Sequence, residues 1–303
     1  MRNENEIGPL RGLKYFYIGN EQMERLNVKE IQRVSLDILN HVDAFCRANK
    51  IQYFLDSGTL IGAARNKGFV PWDDDIDIVM PRPDYARFQR EFIDSVEYKL
   101  FAPSRGNSFL PYVRVCEMTR TYLVSKSMWT QDKPGLGIDI FPLDGAPDSI
   151  EQFDKLTLNY VQQRNNLWRL RVAISPRKLT CCHFIEIAKA AIHTCRRCLF
   201  KWYFDRQIVA ALNSILKLQE KYDYNKSSAC YYIGVNYGRR KYWRKEWFDE
   251  SIEMEFCGRQ YPVPKGYAKR LTAEYGDWRT PSAKSDRNNH ATIQEAYWRV
   301  NIP

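Results

Sequence analysis

Pro71-Trp72-Asp73-Asp74-Asp75-Ile76-Asp77-Ile78-Val79-Met80 crowds four carboxylates into five residues. Like charges this close repel one another and destabilise the chain unless a cation neutralises them. From Asp75 to Met80 polar and apolar side chains alternate, the period of a strand. Alternation sets Asp73, Asp75 and Asp77 on one face and sends Ile76 and Ile78 to the other, toward a core. Neighbouring carboxylates on a strand suit a hard cation such as Mg²⁺, with Mn²⁺ as the alternative, because such ions take oxygen ligands and phosphates. An EF-hand is excluded by Ile78, where its loop needs Gly, and by Asp84, where it needs Glu. A merely solvated acidic turn is disfavoured by the two isoleucines, which demand burial.

Upstream, an apolar run from Ile51 to Leu55 reads as a strand and breaks at Asp56-Ser57-Gly58-Thr59. A helix follows to Arg65, with Ser57 or Thr59 near its N-cap. Exposed N–H groups at such a start form an anion site, so Ser57, Gly58 and Thr59 are candidate phosphate-binding residues. Arg65 and Lys67 are candidate clamps on phosphate oxygens. Downstream, Gly137-Ile138-Asp139-Ile140-Phe141 is a second alternating strand, ended by Pro142. Asp139 there completes a metal triad with Asp75 and Asp77 and is the candidate general base for an attacking hydroxyl. The chemistry that these residues assemble is phosphoryl transfer, with the cation neutralising a diphosphate and stabilising the leaving phosphate.

Around this centre, Ile31, Val34, Ile38, Val42 and Phe45 predict an amphipathic helix over 29–50. A helix is expected from Asp84 to Ser95, and strands over 110–115 and 121–125. The order is that of an α+β fold. From about 150 to 222 the pattern turns helical and basic. Strands return at 231–233 and 253–261, before a loop-rich tail and a last polar helix. The expected division is a catalytic core over 1–149, a basic helical insertion over 150–225, and a C-terminal part over 226–303 that completes the active site.

The residues from Phe54-Leu55-Asp56-Ser57-Gly58-Thr59-Leu60-Ile61-Gly62-Ala63-Ala64-Arg65, through Lys67-Gly68-Phe69-Val70-Pro71-Trp72 and the acidic run, to Met80-Pro81-Arg82 resemble the LicD family of bacterial phosphotransferases, related to fukutin and fukutin-related protein. The likeness continues in Ile138-Asp139-Ile140-Phe141-Pro142-Leu143-Asp144-Gly145 and, more weakly, in Tyr275-Gly276-Asp277-Trp278 and His290. One departure is Ser57, where the family's pattern usually has a second glycine; the expected effect is a tuned phosphate site. The resemblance implies a nucleotidyltransferase-like mixed sheet flanked by helices. It also implies a cytidine diphosphate alcohol as donor, transfer of a phosphoalcohol (typically phosphocholine) to a hydroxyl of a surface or lipid-linked glycan, and release of CMP. Carried over, Asp75 and Asp77 hold metal, Asp139 is the third carboxylate, Gly58 and Thr59 face the donor phosphates, and His290 lies near donor or acceptor.

With 46 Lys and Arg against 36 Asp and Glu, the chain of 303 residues carries a net +10. All of the excess falls in residues 151–250, which hold 19 basic and 9 acidic residues. Within 155–206, basic residues alternate with Trp168, Phe184, Phe200, Trp202, Tyr203 and Phe204, a pattern suited to an anionic membrane surface or to a solvated helical cap. No run approaches the roughly 18 apolar residues of a membrane span. The first residues lack the apolar stretch of a secretory signal. The expected location is therefore the cytoplasm, peripheral on the inner face of the plasma membrane. Reduced thiols are expected for the eight cysteines. Cys181, Cys182, His183, His193, Cys195 and Cys198 have zinc-like spacing, but a helical pattern runs between them. The rival functions are a nucleotidyltransferase acting on nucleic acid, which would also use the positive charge, and a catalytically dead polyanion-binding module. The acidic and Ile-Asp-Ile-Phe-Pro blocks favour the transferase, with no nucleic-acid partner.

Overall fold

The computed structural model describes residues 15–18, 21–124, 130, 132–171, 201–232, 238–281 and 295–299. The N-terminal part runs β1 (Tyr15–Ile18), β2 (Glu21–Glu24), α1 (Val28–Asn49), β3 (Phe54–Leu55), α2 (Ser57–Asn66), β4 (Asp77–Pro81) and α3 (Arg82–Glu91). Strands β5 (Tyr98–Phe101), β6 (Val113–Glu117), β7 (Thr121–Leu123) and β8 (Gly137–Ala146) follow. Helices α4 (Ile150–Arg171) and α5 (Lys201–Gln219) precede β9 (Ala229–Tyr231), β10 (Trp243–Arg244), the hairpin β11 (Ser251–Phe256) and β12 (Arg259–Pro264), α6 (Tyr267–Tyr275) and β13 (Ala296–Trp298). Helices thus pack on a mixed sheet, the expected α+β class.

The central sheet is ordered β10-β9-β8-β4-β3, with β6 also on β8 and β5 beyond β6. Among the described residues only β4 and β8 run parallel. Alternation divides its faces. Ile78, Met80, Ile138 and Ile140 enter the main core, which α1 covers with Ile31, Val34, Ile38 and Val42. Each such buried aliphatic side chain contributes about 2 kcal/mol. α1 starts where Asn27 and Glu30 bond reciprocally across its first turn. The opposite face carries Phe54, Val79, Phe141 and Leu143 against Tyr232, Trp243 and Phe248 from the C-terminal part. By the same alternation Asp77 and Asp139 belong to this second face.

Several elements differ from the sequence pattern. The strand expected from Asp75 begins only at Asp77, because Asp73 N–H donates to the Val70 carbonyl and turns the acidic run into a loop. β8 does not stop at Pro142 but continues to Ala146. Asp139 N–H donates to Ile76, on the β4 side, so position 142 points its missing N–H the other way. On that side β6 pairs only through Ile140 and β9 only from Asp144. The proline therefore sits in the gap between two partners, where no donor is needed. β5 and α6 carry no alternation or apolar stripe strong enough to predict them. The expected last polar helix falls mostly outside the described residues.

α4 and α5 share a satellite core of Phe153, Leu156, Tyr160, Leu167, Ile208, Leu212 and Ile215 with Tyr231 of β9. Among the described residues no helix is long and apolar enough to cross a membrane. Cys46, Cys116, Cys230 and Cys257 are free thiols. The proposed zinc cluster of Cys181, Cys182, His183, His193, Cys195 and Cys198 lies outside the described residues.

Candidate active site

The parallel register of β4 and β8 sets Asp77 directly beside Asp139. On the far side of β8, Arg114 of β6 stands opposite Asp139, with Nε 3.1 Å from Oδ1. That oxygen is buried and has no hydrogen-bond partner. Burial raises the Asp139 pKa; Arg114 and a bond from Tyr112 oppose the rise, and Asp75 adds to it. Asp77 is pushed well above the usual carboxylate range, by burial first and then by the charges of Asp75 and Asp139.

The loop before β4 gathers carboxylate oxygens of Asp73, Asp74 and Asp75 within 4.8 Å of one another. Gln32 of α1 anchors it by donating Nε2–H to the Asp73 carbonyl at 2.7 Å. Burial alternates as expected, with Asp74 buried and Asp75 exposed, but residues 73–75 form a loop ahead of β4, and Asp74 brings its carboxylate to those of Asp73 and Asp75 instead of pointing away. The Asp73 pKa is raised to about 8 by burial and by Asp75 and Asp74.

Against this loop lies the start of α2. Its first intrahelical bond runs from Leu60 N–H to the Asp56 carbonyl, leaving the N–H groups of Ser57, Gly58 and Thr59 to other partners. A Cβ on Gly58 would fall 2.2 Å from Asp73 Oδ2, so glycine is what lets the carboxylate rest on the helix start. Ser57 has φ +49°, the left-handed region where glycine is at ease, which is physical ground for the second glycine of the resemblance. Its hydroxyl lies 2.8 Å from that of Tyr232. The Thr59 hydroxyl is already engaged, accepting from Asp77 N–H at 3.0 Å and tying α2 to β4. Asp56 is the N-cap, yet its side chain caps nothing, because Arg270 Nη2 holds it at 2.5 Å.

The structure therefore brings Asp75, Asp77, Asp139, Ser57, Gly58 and Thr59 to one region. It places Arg65 and Lys67 at the other end of α2, roughly 12 Å along the axis. Arg65 donates to the Trp278 carbonyl at 3.2 Å, and Lys67 pairs with Glu255 at 3.1 Å. His290 lies outside the described residues.

Arg114 and Tyr112 escape the sequence reading, although Tyr112-Val113-Arg114-Val115 alternates and so puts both polar residues on one face. Two other motif residues prove to be partners of each other. Arg82 grips Asp144 through two bonds of 2.5 and 2.8 Å, which locks α3 to β8.

A divalent cation fits this donor set: hard carboxylate oxygens of Asp73, Asp74 and Asp75 lie within 4.8 Å of one another, and neighbouring carboxylates push up the pKa values of Asp73 and Asp77.

The family model described as "LicD/FKTN/FKRP, nucleotidyltransferase domain" matches residues 50–168. The lipopolysaccharide cholinephosphotransferase LicD of Haemophilus influenzae is 31% identical over 282 residues, covering 91% of this chain and 99% of its own length. An uncharacterised protein of Rickettsia typhi is 33% identical over 78 residues, 25% of each chain.

Proposed function

The chain belongs to the LicD family and is a LicD-type transferase, and on that premise we propose that it moves a phosphoalcohol, phosphocholine first among them, from a cytidine diphosphate alcohol to a hydroxyl of a cell-surface glycan, releasing CMP. The observation that carries this reading is the pairing of Asp77 with Asp139 beside an acidic loop that rests on a helix start.

In this mechanism the N–H groups of Ser57, Gly58 and Thr59 face the donor's diphosphate. Asp75 and Asp77, with Asp73 seated on Gly58, are the residues to hold Mg²⁺ or Mn²⁺. A bound cation supplies charge neutralisation for the diphosphate and for the departing CMP. The acceptor hydroxyl oxygen bonds to the phosphorus that carries the alcohol, its proton passes to Asp139, and the bond to CMP breaks with its electron pair staying on CMP. Burial raises the Asp139 pKa, the direction that suits a proton acceptor, and the charge of Arg114 opposes the rise.

Residues 1–149 act as the catalytic core, 150–225 as the basic insertion, and 226–303 as the part that completes the site. Ion pairing of Arg270 with Asp56 supports the last assignment. Leu158, Trp168, Tyr203 and Val209 are exposed on α4 and α5, which supports docking of the insertion on an anionic membrane near a lipid-linked acceptor.

Purified protein with CDP-choline, Mg²⁺ or Mn²⁺ and a glycan acceptor should release CMP, and Asp75→Asn and Asp77→Asn should each reduce that release roughly 100-fold or more. Full activity in both variants rejects the metal assignment. Extension of RNA from nucleoside triphosphates would replace this reading with a nucleic-acid nucleotidyltransferase.

A further inference from the structure

Behind the start of α2 lies a line of buried charges that the transfer step does not use. Arg270 and Glu274, one turn apart on α6, form an ion pair of 2.9 Å, and Arg270 also reaches Asp56. Glu274 pairs in turn with Lys241 Nζ at 2.9 Å. Lys241 Nζ donates to the Tyr232 hydroxyl, which meets the Ser57 hydroxyl at 2.8 Å. All six residues are buried, and the two cations match the two carboxylates. Buried ion pairs stabilise a fold weakly or not at all relative to apolar packing. Five residues from three separate parts of the chain converging on one serine therefore call for a reason other than stability.

Hydrogen-bond direction supplies one. Lys241 Nζ donates to the Tyr232 hydroxyl and pairs with the Glu274 carboxylate at 2.9 Å, the contacts of an ammonium, which has donors only. Tyr232 must therefore accept from Lys241, and its own proton goes to Ser57 Oγ. Ser57 then keeps its hydroxyl hydrogen for another acceptor. Asp56 Oδ2 is a poor one, at 3.3 Å and already taken by Arg270 Nη2 at 2.6 Å. The Tyr275 hydroxyl is also within reach, at the outer end of α6.

We propose that Tyr232, held by Lys241, is a positioning residue: it accepts no substrate itself but turns the Ser57 hydroxyl into a donor aimed at the diphosphate of the nucleotide-linked substrate, and pins Ser57 in its left-handed backbone conformation. This rests on the reading that the start of α2 takes the donor phosphates. Tyr232→Phe keeps the ring that stacks on Phe141, with centroids 4.9 Å apart, and removes only the hydroxyl.

The test combines CDP binding in the presence of Mg²⁺ with steady-state kinetics for wild type, Tyr232→Phe, Ser57→Gly and the double variant. Tyr232→Phe should weaken CDP binding and raise the donor KM about tenfold, the size of one hydrogen bond to a charged group, while the acceptor KM stays unchanged. Ser57→Gly, which permits the same backbone without the hydroxyl, should show the same loss, and the double variant no more than either. Additive losses, or CDP affinity equal to wild type in Tyr232→Phe or Ser57→Gly, overturn the relay. Should Tyr232→Phe fail to fold, Ser57→Gly alone decides through its CDP affinity. If wild type neither binds CDP nor turns over, the donor reading falls and the relay with it; if wild type does both and the variants match it, the relay alone falls.

Discussion

Gly58 and Asp73 are fitted to each other: a methyl group on the glycine would fall 2.2 Å from the carboxylate oxygen. That clearance joins the helix start to the acidic loop, two segments fifteen positions apart in sequence. Gly58→Ala should push Asp73 off the helix and lower kcat/KM roughly 100-fold, as misplacement of a positioned group by about 1 Å does. Asp73→Ala should lose a similar amount. Because both changes break one contact, the double variant should be little worse than either single one. Losses that multiply would show the two residues to act independently.

The crowded carboxylates also set a pH dependence. A carboxyl whose pKa is higher folded than unfolded binds more protons in the folded state, so stability is lost as pH rises from the unfolded value toward the folded one. Asp73, at about 8, places that loss between about pH 4 and 8, and Asp77, also raised, adds to it. Without divalent ions, thermal melts should fall across this window, and Asp73→Asn should flatten the slope. Added Mg²⁺ should raise the melting temperature more at pH 8 than at pH 5, because it competes with protons for the same oxygens. An equal Mg²⁺ effect at both pH values would refute binding at these carboxylates.

Arg82 and Asp144 both stand in the motif blocks that carry the family likeness, yet they grip each other and lock α3 to β8. Arg82→Met leaves the almost wholly buried Asp144 without its cation, which destabilises a fold by about 3 kcal/mol. Chemical denaturation should register that loss, while the donor KM measured on the remaining folded protein stays near wild type. A large rise in KM would instead assign Arg82 to the substrate.

The contrast between Arg82 and Arg114 shows how far the sequence could be read. Runs with a clear period were legible: α1 from its four-residue apolar spacing, β8 from Ile138-Asp139-Ile140, and hence Asp139 beside the acidic run. Partnership was not. Nothing local distinguishes Arg82, bound to Asp144, from Arg114, set against Asp139, because β-strand register is decided by distant pairing. The same holds for α6, a nine-residue helix whose Arg270 and Glu274 matter through Asp56, more than two hundred positions away. Arg65 and Lys67 follow the glycine turn closely in sequence, but one helix length carries them to its opposite end.

Arg114 should tune the proposed proton acceptor. Its charge opposes the burial-driven rise of Asp139, so Arg114→Met raises that pKa further. A base must be ionised to accept a proton, and the acidic limb of the kcat profile should therefore move to higher pH. Arg114→Lys, which keeps the charge, should move it less. An acidic limb that stays in place in Arg114→Met would separate Asp139 from the titrating step.

The basic insertion makes the last prediction. Trp168 and Leu158 on α4 and Tyr203 on α5 are exposed, near Lys155, Arg164, Arg169 and Arg206 of the same helices. An anionic bilayer attracts a basic residue at its surface by about 1 kcal/mol, so losing two of them should weaken binding by about tenfold or more. Flotation with phosphatidylserine-containing vesicles should recover wild type at 0.1 M salt and much less at 1 M, where the Debye length shrinks from about 10 Å to about 3 Å. Arg164→Gln combined with Arg169→Gln should lower recovery at 0.1 M, and Trp168→Ala should lower the fraction that survives 1 M, because aromatic insertion is not screened. Neutral vesicles that recover as much protein as anionic ones would leave the charge of 151–250 without a membrane role and return α4 and α5 to a solvated cap.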